Sequence, residues 1–142
     1  MDILHDFYIK APRNDVFKAI STPQGFNRWW TKTAAGESTR GSEWTLGFGP
    51  DYEWRASVNK AEANNAFELR MTKSDDDWNG SVVGFELSDA PGGTQVRFYH
   101  KGWPNLNEHF RVSSYCWAMY LRLLKMNLEN GLLVPYEQRL EV

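Results

Sequence analysis

Three histidines, one cysteine and a dense set of aromatic rings are the residues of this 142-residue chain with chemistry to offer. His100 is the most informative of them. It continues the alternation of Val96 and Phe98, which places its imidazole on their inward face. There it is a polar anchor or general base, exchanging a proton near neutral pH, or a structural histidine whose ring nitrogens are satisfied by nearby backbone. The structural reading is favoured, because the sequence offers it no identifiable partner. His5 meets the same choice with less in its favour. The three histidines, His5, His100 and His109, lie far apart and neither HExxH nor CxxC spacing occurs, so no metal is expected. GxGxxG, P-loop and GxSxG patterns are also missing, and no other cofactor is expected. Cys116 falls on the apolar flank of a helical segment, where a thiol is usually inert.

The rings are the larger signal. Seven Trp, six Tyr and eight Phe make up 15% of the chain, and they need a core or a ligand site. Trp54, Phe67, Phe85, Phe98, Trp117 and Tyr120 are candidate walls of a site, since pockets are largely apolar with few polar groups; as aromatic stripes they serve equally as core. Trp30, Met71, Phe110 and Leu121 extend the candidate set. Ser114 interrupts an apolar helical stripe, so its hydroxyl either meets a polar ligand group or, more commonly, bonds back to the i−4 carbonyl. Trp29 and Trp30 are adjacent and cannot easily share one buried face, which directs one toward an entrance and the other toward the core.

The elements that must position these residues follow from periodicity. Residues 3 to 9 alternate as a strand. Pro12 opens one short helix bearing Val16, Phe17 and Ile20, and Thr22-Pro23 opens a second with Phe26, Trp29 and Trp30 on one face. Residues 31 to 42 show neither period and read as a mobile loop. Trp44, Leu46 and Phe48 then alternate, followed by Trp54, Ala56 and Val58, by Phe67, Leu69 and Met71, by Val83, Phe85 and Leu87, and by Val96, Phe98 and His100. Short strands joined by tight turns indicate an antiparallel meander. Glu53, Arg55, Glu68, Arg70 and Arg97 run out of phase with the apolar faces and belong to the solvent side; with the opposite phase, Arg55 would enter the cavity and favour an acidic ligand. A long helix runs from about Asn105 to Asn130, with Pro104 and Gly131 as boundary signals. Phe110, Ser114, Trp117, Leu121, Leu124 and Leu128 form its stripe, and the only surface large enough to take it is the concave face of the sheet.

Composition bounds the function. Sixteen basic against eighteen acidic side chains give a net charge of −2, too balanced for the positive field that nucleic-acid binding needs. No apolar run reaches the length of a membrane span, and the N-terminus carries no secretory signal. A single cysteine rules out an internal disulfide. The expectation is one cytoplasmic domain, residues 1–142.

Four segments resemble a known family. Ile9-Lys10-Ala11-Pro12 with Val16-Phe17, Thr22-Pro23 with Trp29-Trp30, His100-Lys101-Gly102-Trp103, and Cys116-Trp117 with Leu128-Glu129-Asn130-Gly131 together resemble the START-like, Bet v 1-like (SRPBCC) superfamily. Within it they resemble the Activator of Hsp90 ATPase homologue 1-like, or polyketide cyclase-like, branch. The resemblance implies an α+β helix-grip fold: a curved antiparallel sheet of about six strands wrapped around a long C-terminal helix, with two short helices after strand one and an apolar cavity between sheet and helix. One such fold hosts many functions.

The favoured function is binding of a small hydrophobic molecule, aromatic or acyl, in that cavity. Its rivals are a cyclase- or hydratase-like enzyme using His100 as acid/base with Ser114 or Tyr120 as donor, and a chaperone-associated or stress-response interaction module docking near Trp29, Trp30 and the loop 31–42. Unpaired edge strands and exposed tryptophans are compatible with a homodimer.

Overall fold

The alternating N-terminal residues form β1 (Asp2–Ile9) in a computed structural model that describes residues 1–142. Two short helices follow, α1 (Arg13–Ser21) and α2 (Pro23–Phe26), and then β2 (Thr33–Ala35), β3 (Glu43–Gly47), β4 (Glu53–Glu62), β5 (Ala66–Lys73), β6 (Val82–Ala90) and β7 (Gly93–Lys101). The chain ends in the long α3 (Glu108–Asn130) and a 3₁₀ turn, Tyr136–Glu141. All seven strands join one antiparallel sheet in the order β1-β7-β6-β5-β4-β3-β2. The helix-grip architecture is therefore present, with β1 returning to pair with the last strand.

Local chemistry sets the boundaries. The Thr22 hydroxyl accepts from the Gly25 amide at 3.0 Å, capping α2 behind Pro23. Gly25 is obligatory for a different reason: a Cβ there would lie 2.5–2.7 Å from backbone atoms of Lys18 and Ala19, so α2 could not close on α1. Asn107 caps α3 by accepting from the Phe110 amide at 2.9 Å, and Gly131 ends it in the left-handed conformation at φ 72°. A cap at Asn107 starts the helix at Glu108, three residues later than the position of Pro104 suggests. In β4 the register slips between Val58 and Lys60, so Asn59 is an extra residue opposite β5. Bulges of this kind increase local twist and bend, which suits a sheet that curves around a helix.

Two sequence expectations need correction. Residues 31–42 contain a strand, β2, which pairs with β3 and raises the sheet to seven strands. Three residues are too few to display a period, and the segment beyond is tied down by the Trp44 indole, which donates to the Glu37 carbonyl at 2.7 Å. Trp29 and Trp30 do share the interior, at 0% and 3% exposure. Their rings stack at 6.1 Å, and the Trp29 indole satisfies its N–H on the Ala19 carbonyl at 3.0 Å. Arg55 stays outside, near Glu43 and Glu53, so the phase assigned to its strand holds.

Between sheet and helix the space is filled mostly by rings. Phe26, Trp29, Trp44, Phe67, Phe85 and Phe98 are all essentially inaccessible, and edge-to-face contacts such as Phe26 on Trp29 at 5.7 Å and Phe85 on Phe98 at 5.2 Å link them. Arg139 closes the C-terminal side, donating to the carbonyls of Val134, Thr31 and Asn27. No helix is long and apolar enough to cross a membrane.

Candidate functional site

The interior opens to water near the N-terminal half of α3. On α3, Trp117 is buried and faces the sheet, where its indole N–H donates to His100 Nδ1 at 3.1 Å. That bond fixes the tautomer, since Nδ1 must be the acceptor. The remaining ring proton is then on Nε2, which donates to the Ser81 hydroxyl at 2.8 Å, and Ser81 in turn donates to the Trp78 carbonyl at 2.5 Å. His100 is thus a fully occupied bridge between α3 and the turn before β6. Burial holds its imidazole well below the usual range, at about 3, with a smaller contribution from His109, so it remains neutral through physiological pH.

Around this bridge five aromatic rings form a closed circuit. Centroid distances run 4.9 Å from Trp117 to Trp30, 5.6 Å from Trp30 to Phe48, and 5.0 Å from Phe48 to Trp54. The circuit closes with 4.9 Å from Trp54 to Trp78 and 5.7 Å from Trp78 back to Trp117. These rings come from α3, the segment after α2, β4 and its preceding turn, and the β5–β6 turn. They line a water-open cleft of about 270 Å³. Val112, Ser113, Cys116 and Tyr120 of α3 supply the rest of one wall. Burial raises the Cys116 thiol and lifts the Tyr120 phenol to about 12, so both stay neutral. Trp78 keeps its buried indole N–H without an acceptor, a costly state for a polar group away from water.

The rim is polar and acidic. Tyr52, half-exposed, donates its hydroxyl to Asp75 at 3.2 Å, and the neighbouring carboxylate raises the phenol. His109 Nδ1 lies 3.0 Å from Asp77 Oδ2, which also accepts from Asn107 Nδ2 at 3.2 Å. The bonds from His109 and then Asn107 hold the Asp77 carboxyl low. Nowhere do three or more His, Cys, Asp or Glu side chains converge as metal ligands.

Of the residues singled out in the sequence, Trp30, Trp54, Trp117 and Tyr120 line this cleft. Phe67, Met71, Phe85 and Phe98 lie in the closed core, and His100 lies behind the cleft wall. Phe110 packs on Trp103 at 5.4 Å. Ser114 is not among the lining residues, and its neighbour Ser113 takes the inward position. Leu121 faces a second opening of about 280 Å³ between β1 and α3, beside His5, Phe7, Arg122 and Lys125. Phe48, Tyr52, Asp75, Trp78, His109, Val112, Ser113 and Cys116 were not among the sequence candidates for this cleft. The run Asp75-Asp76-Asp77, a turn signal in the sequence, is the one pointer to the position of Trp78, the ring that follows it.

The sequence profile of the Activator of Hsp90 ATPase homolog 1-like protein family matches residues 10–129. The chain belongs to that family. Among curated proteins none matches it. Of solved structures, the Aha1 dimer from Colwellia psychrerythraea is similar at 27% identity and a TM-score of 0.83, over 92% of this chain and 98% of that one. A Staphylococcus saprophyticus protein superposes with a TM-score of 0.80 at 21% identity, over 94% of this chain and 96% of its own. CalU16 from Micromonospora echinospora superposes with a TM-score of 0.74 at 19% identity, over 99% and 81%. The last two share the fold of this chain and show nothing finer.

Proposed function

We propose that this family member binds a compact hydrophobic molecule, aromatic or acyl, in the cleft between the sheet and the N-terminal half of α3. The carrying observation is the closed circuit of Trp30, Phe48, Trp54, Trp78 and Trp117 around a space open to water. Trp30, Trp78 and Trp117 are nearly inaccessible, whereas Phe48 and Trp54 are half-buried and present apolar surface to the cleft; covering such surface stabilises a bound molecule by about 25 cal/mol per Å² before the cost of ordering it. The filled core behind the circuit favours a short, compact guest over a long chain.

The rival acid/base reading rests on His100. Both of its ring nitrogens are engaged, one by the Trp117 N–H and one by Ser81, and no carboxylate touches it. Binding is therefore the reading with more support. The dimer of the Colwellia relative supports self-association of this chain as well; Tyr115, 79% exposed on α3, is a suitable contact residue.

Titration with N-phenyl-1-naphthylamine, a neutral probe that fluoresces in apolar surroundings, tests the binding reading. A saturable one-to-one signal is expected, weakened roughly tenfold by Trp54→Ala, as the loss of one large apolar contact predicts. Trp54 is only half-buried, so the variant should fold. No saturable signal, or equal affinity in the variant, would contradict the proposal.

A further inference from the structure

The charge pattern of the cleft says more about its guest than the rings do. No lysine or arginine lines it, whereas the Asp75 carboxylate stands at the mouth, with Asp77 close by on His109. The one basic side chain that lines the cleft, His109, is already engaged by Asp77 at 3.0 Å, so an anion entering would lose water and gain no free cationic partner, at a cost that rises as the local dielectric falls. A cation also loses water but gains two kinds of partner. The carboxylate attracts it, and the faces of tryptophan carry the negative quadrupole that binds ammonium groups within about 6 Å of the ring centre.

We propose that the guest is a small aromatic or acyl compound carrying a tertiary or quaternary ammonium group, with its charged head against the ring-lined wall and toward Asp75. This rests on the binding reading above and specifies its ligand class. Four features converge on it. The circuit supplies four indoles, the ring type that attracts cations most strongly. Neighbouring rings pack on one another at 4.9–5.7 Å, so a methylated head resting on the wall they form in the cleft meets more than one of them. The Tyr52 hydroxyl donates to Asp75 Oδ1, which steadies the carboxylate and leaves its second oxygen for the head group. The volume, about 270 Å³, suits a head with one short apolar substituent. Core rings occupy the space that the acyl chains of a lipid would need, which favours a free molecule over a membrane headgroup.

Two probes of nearly equal shape isolate the charge: benzyltrimethylammonium and its carbon isostere 2,2-dimethylpropylbenzene, each competed against N-phenyl-1-naphthylamine on the intact chain. The cation is expected to bind roughly tenfold more tightly than the isostere despite its larger desolvation cost. Asp75→Asn should weaken the cation severalfold and leave the isostere unchanged, because only the cation senses the carboxylate. Trp54→Leu, which keeps apolar bulk and removes a ring face, should also weaken the cation more than the isostere. A probe displaced equally well by both compounds, or an Asp75→Asn variant with full affinity for the cation, would overturn the cationic assignment while leaving the apolar cleft standing. Failure of N-phenyl-1-naphthylamine itself to bind would strike at the binding reading instead. Melting temperatures of both variants within a few degrees of the parent confirm that affinities are read on folded protein.

Discussion

Trp117→Ala should be the most damaging single change in the protein, lowering unfolding free energy by about 3–5 kcal/mol. Three losses combine. The indole contacts Trp30, Trp78 and Phe98, with centroid distances of 4.9, 5.7 and 4.7 Å, so its removal leaves a cavity that rigid neighbouring rings cannot easily collapse into. His100 Nδ1 also loses its only donor, in a place where water is excluded. The cleft then loses the wall that joins α3 to the sheet. Domains of this size have total stabilities of about 5–15 kcal/mol, so the variant should remain folded by a small margin or not at all. Urea titration reads the effect as a fall in midpoint at unchanged slope. Trp117→Phe separates the contributions, since it keeps an aromatic ring and removes the N–H. A loss below about 1 kcal/mol for the alanine variant would mean that Trp117 is not the joint described here.

The second large effect is on pH dependence, and it belongs to His100. Its folded-state pKa, about 3, lies below the unfolded value of 6.5. The unfolded chain therefore binds the proton that the folded chain refuses. Stability from this group is fully present above pH 6.5 and is lost as the pH falls toward 3, at about 1.4 kcal/mol per pH unit once well below 6.5. Between pH 6.5 and 4.5 the parent should lose about 2 kcal/mol more than His100→Gln, whose side chain does not titrate. Carboxylates held low, such as Asp77 and Glu129, change stability in the same direction, but mainly at lower pH. The difference between parent and variant removes the other histidines. Parallel stability profiles for the two proteins over that window would show that His100 protonates freely when folded, against the bridge geometry.

What the sequence made legible was whatever repeats. The α3 stripe, the alternating strands and the turn residues each reflect a period or a backbone preference that survives without knowledge of the partner. The cleft was less legible because it is assembled from residues that obey no shared period. Trp78 sits in a turn, where side-chain direction is set by the loop, and its approach to Trp54 and Trp117 spans separate elements. His109 and Asp77 meet across 32 positions. Ser113 and Ser114 differ by one residue, about 100° around a helix, and the apolar pattern resolves that angle poorly. The bulge at Asn59 leaves no mark on composition at all. Volume was the least legible quantity: a list of large rings is equally compatible with an empty cavity and with the nearly filled one observed.

His100 illustrates the same limit from the chemical side. Its inward position was readable from Val96 and Phe98. Its partners were an indole from α3 and a hydroxyl from the turn before β6, neither of which the strand's own pattern reveals. The ring circuit depends on that bridge, because it fixes Trp117 and the Trp78 turn relative to one another.

Seven indole N–H signals in a two-dimensional nitrogen–proton NMR spectrum give the most direct view of whether this circuit receives a guest. On adding N-phenyl-1-naphthylamine, the resonances of Trp30, Trp54, Trp78 and Trp117 should move together and saturate, while Trp44, packed on Phe26 and Phe67 with its indole N–H on the Glu37 carbonyl, stays in place. Movement of Trp44 with the four circuit signals unchanged, or a spectrum unaltered at saturating probe, would contradict it.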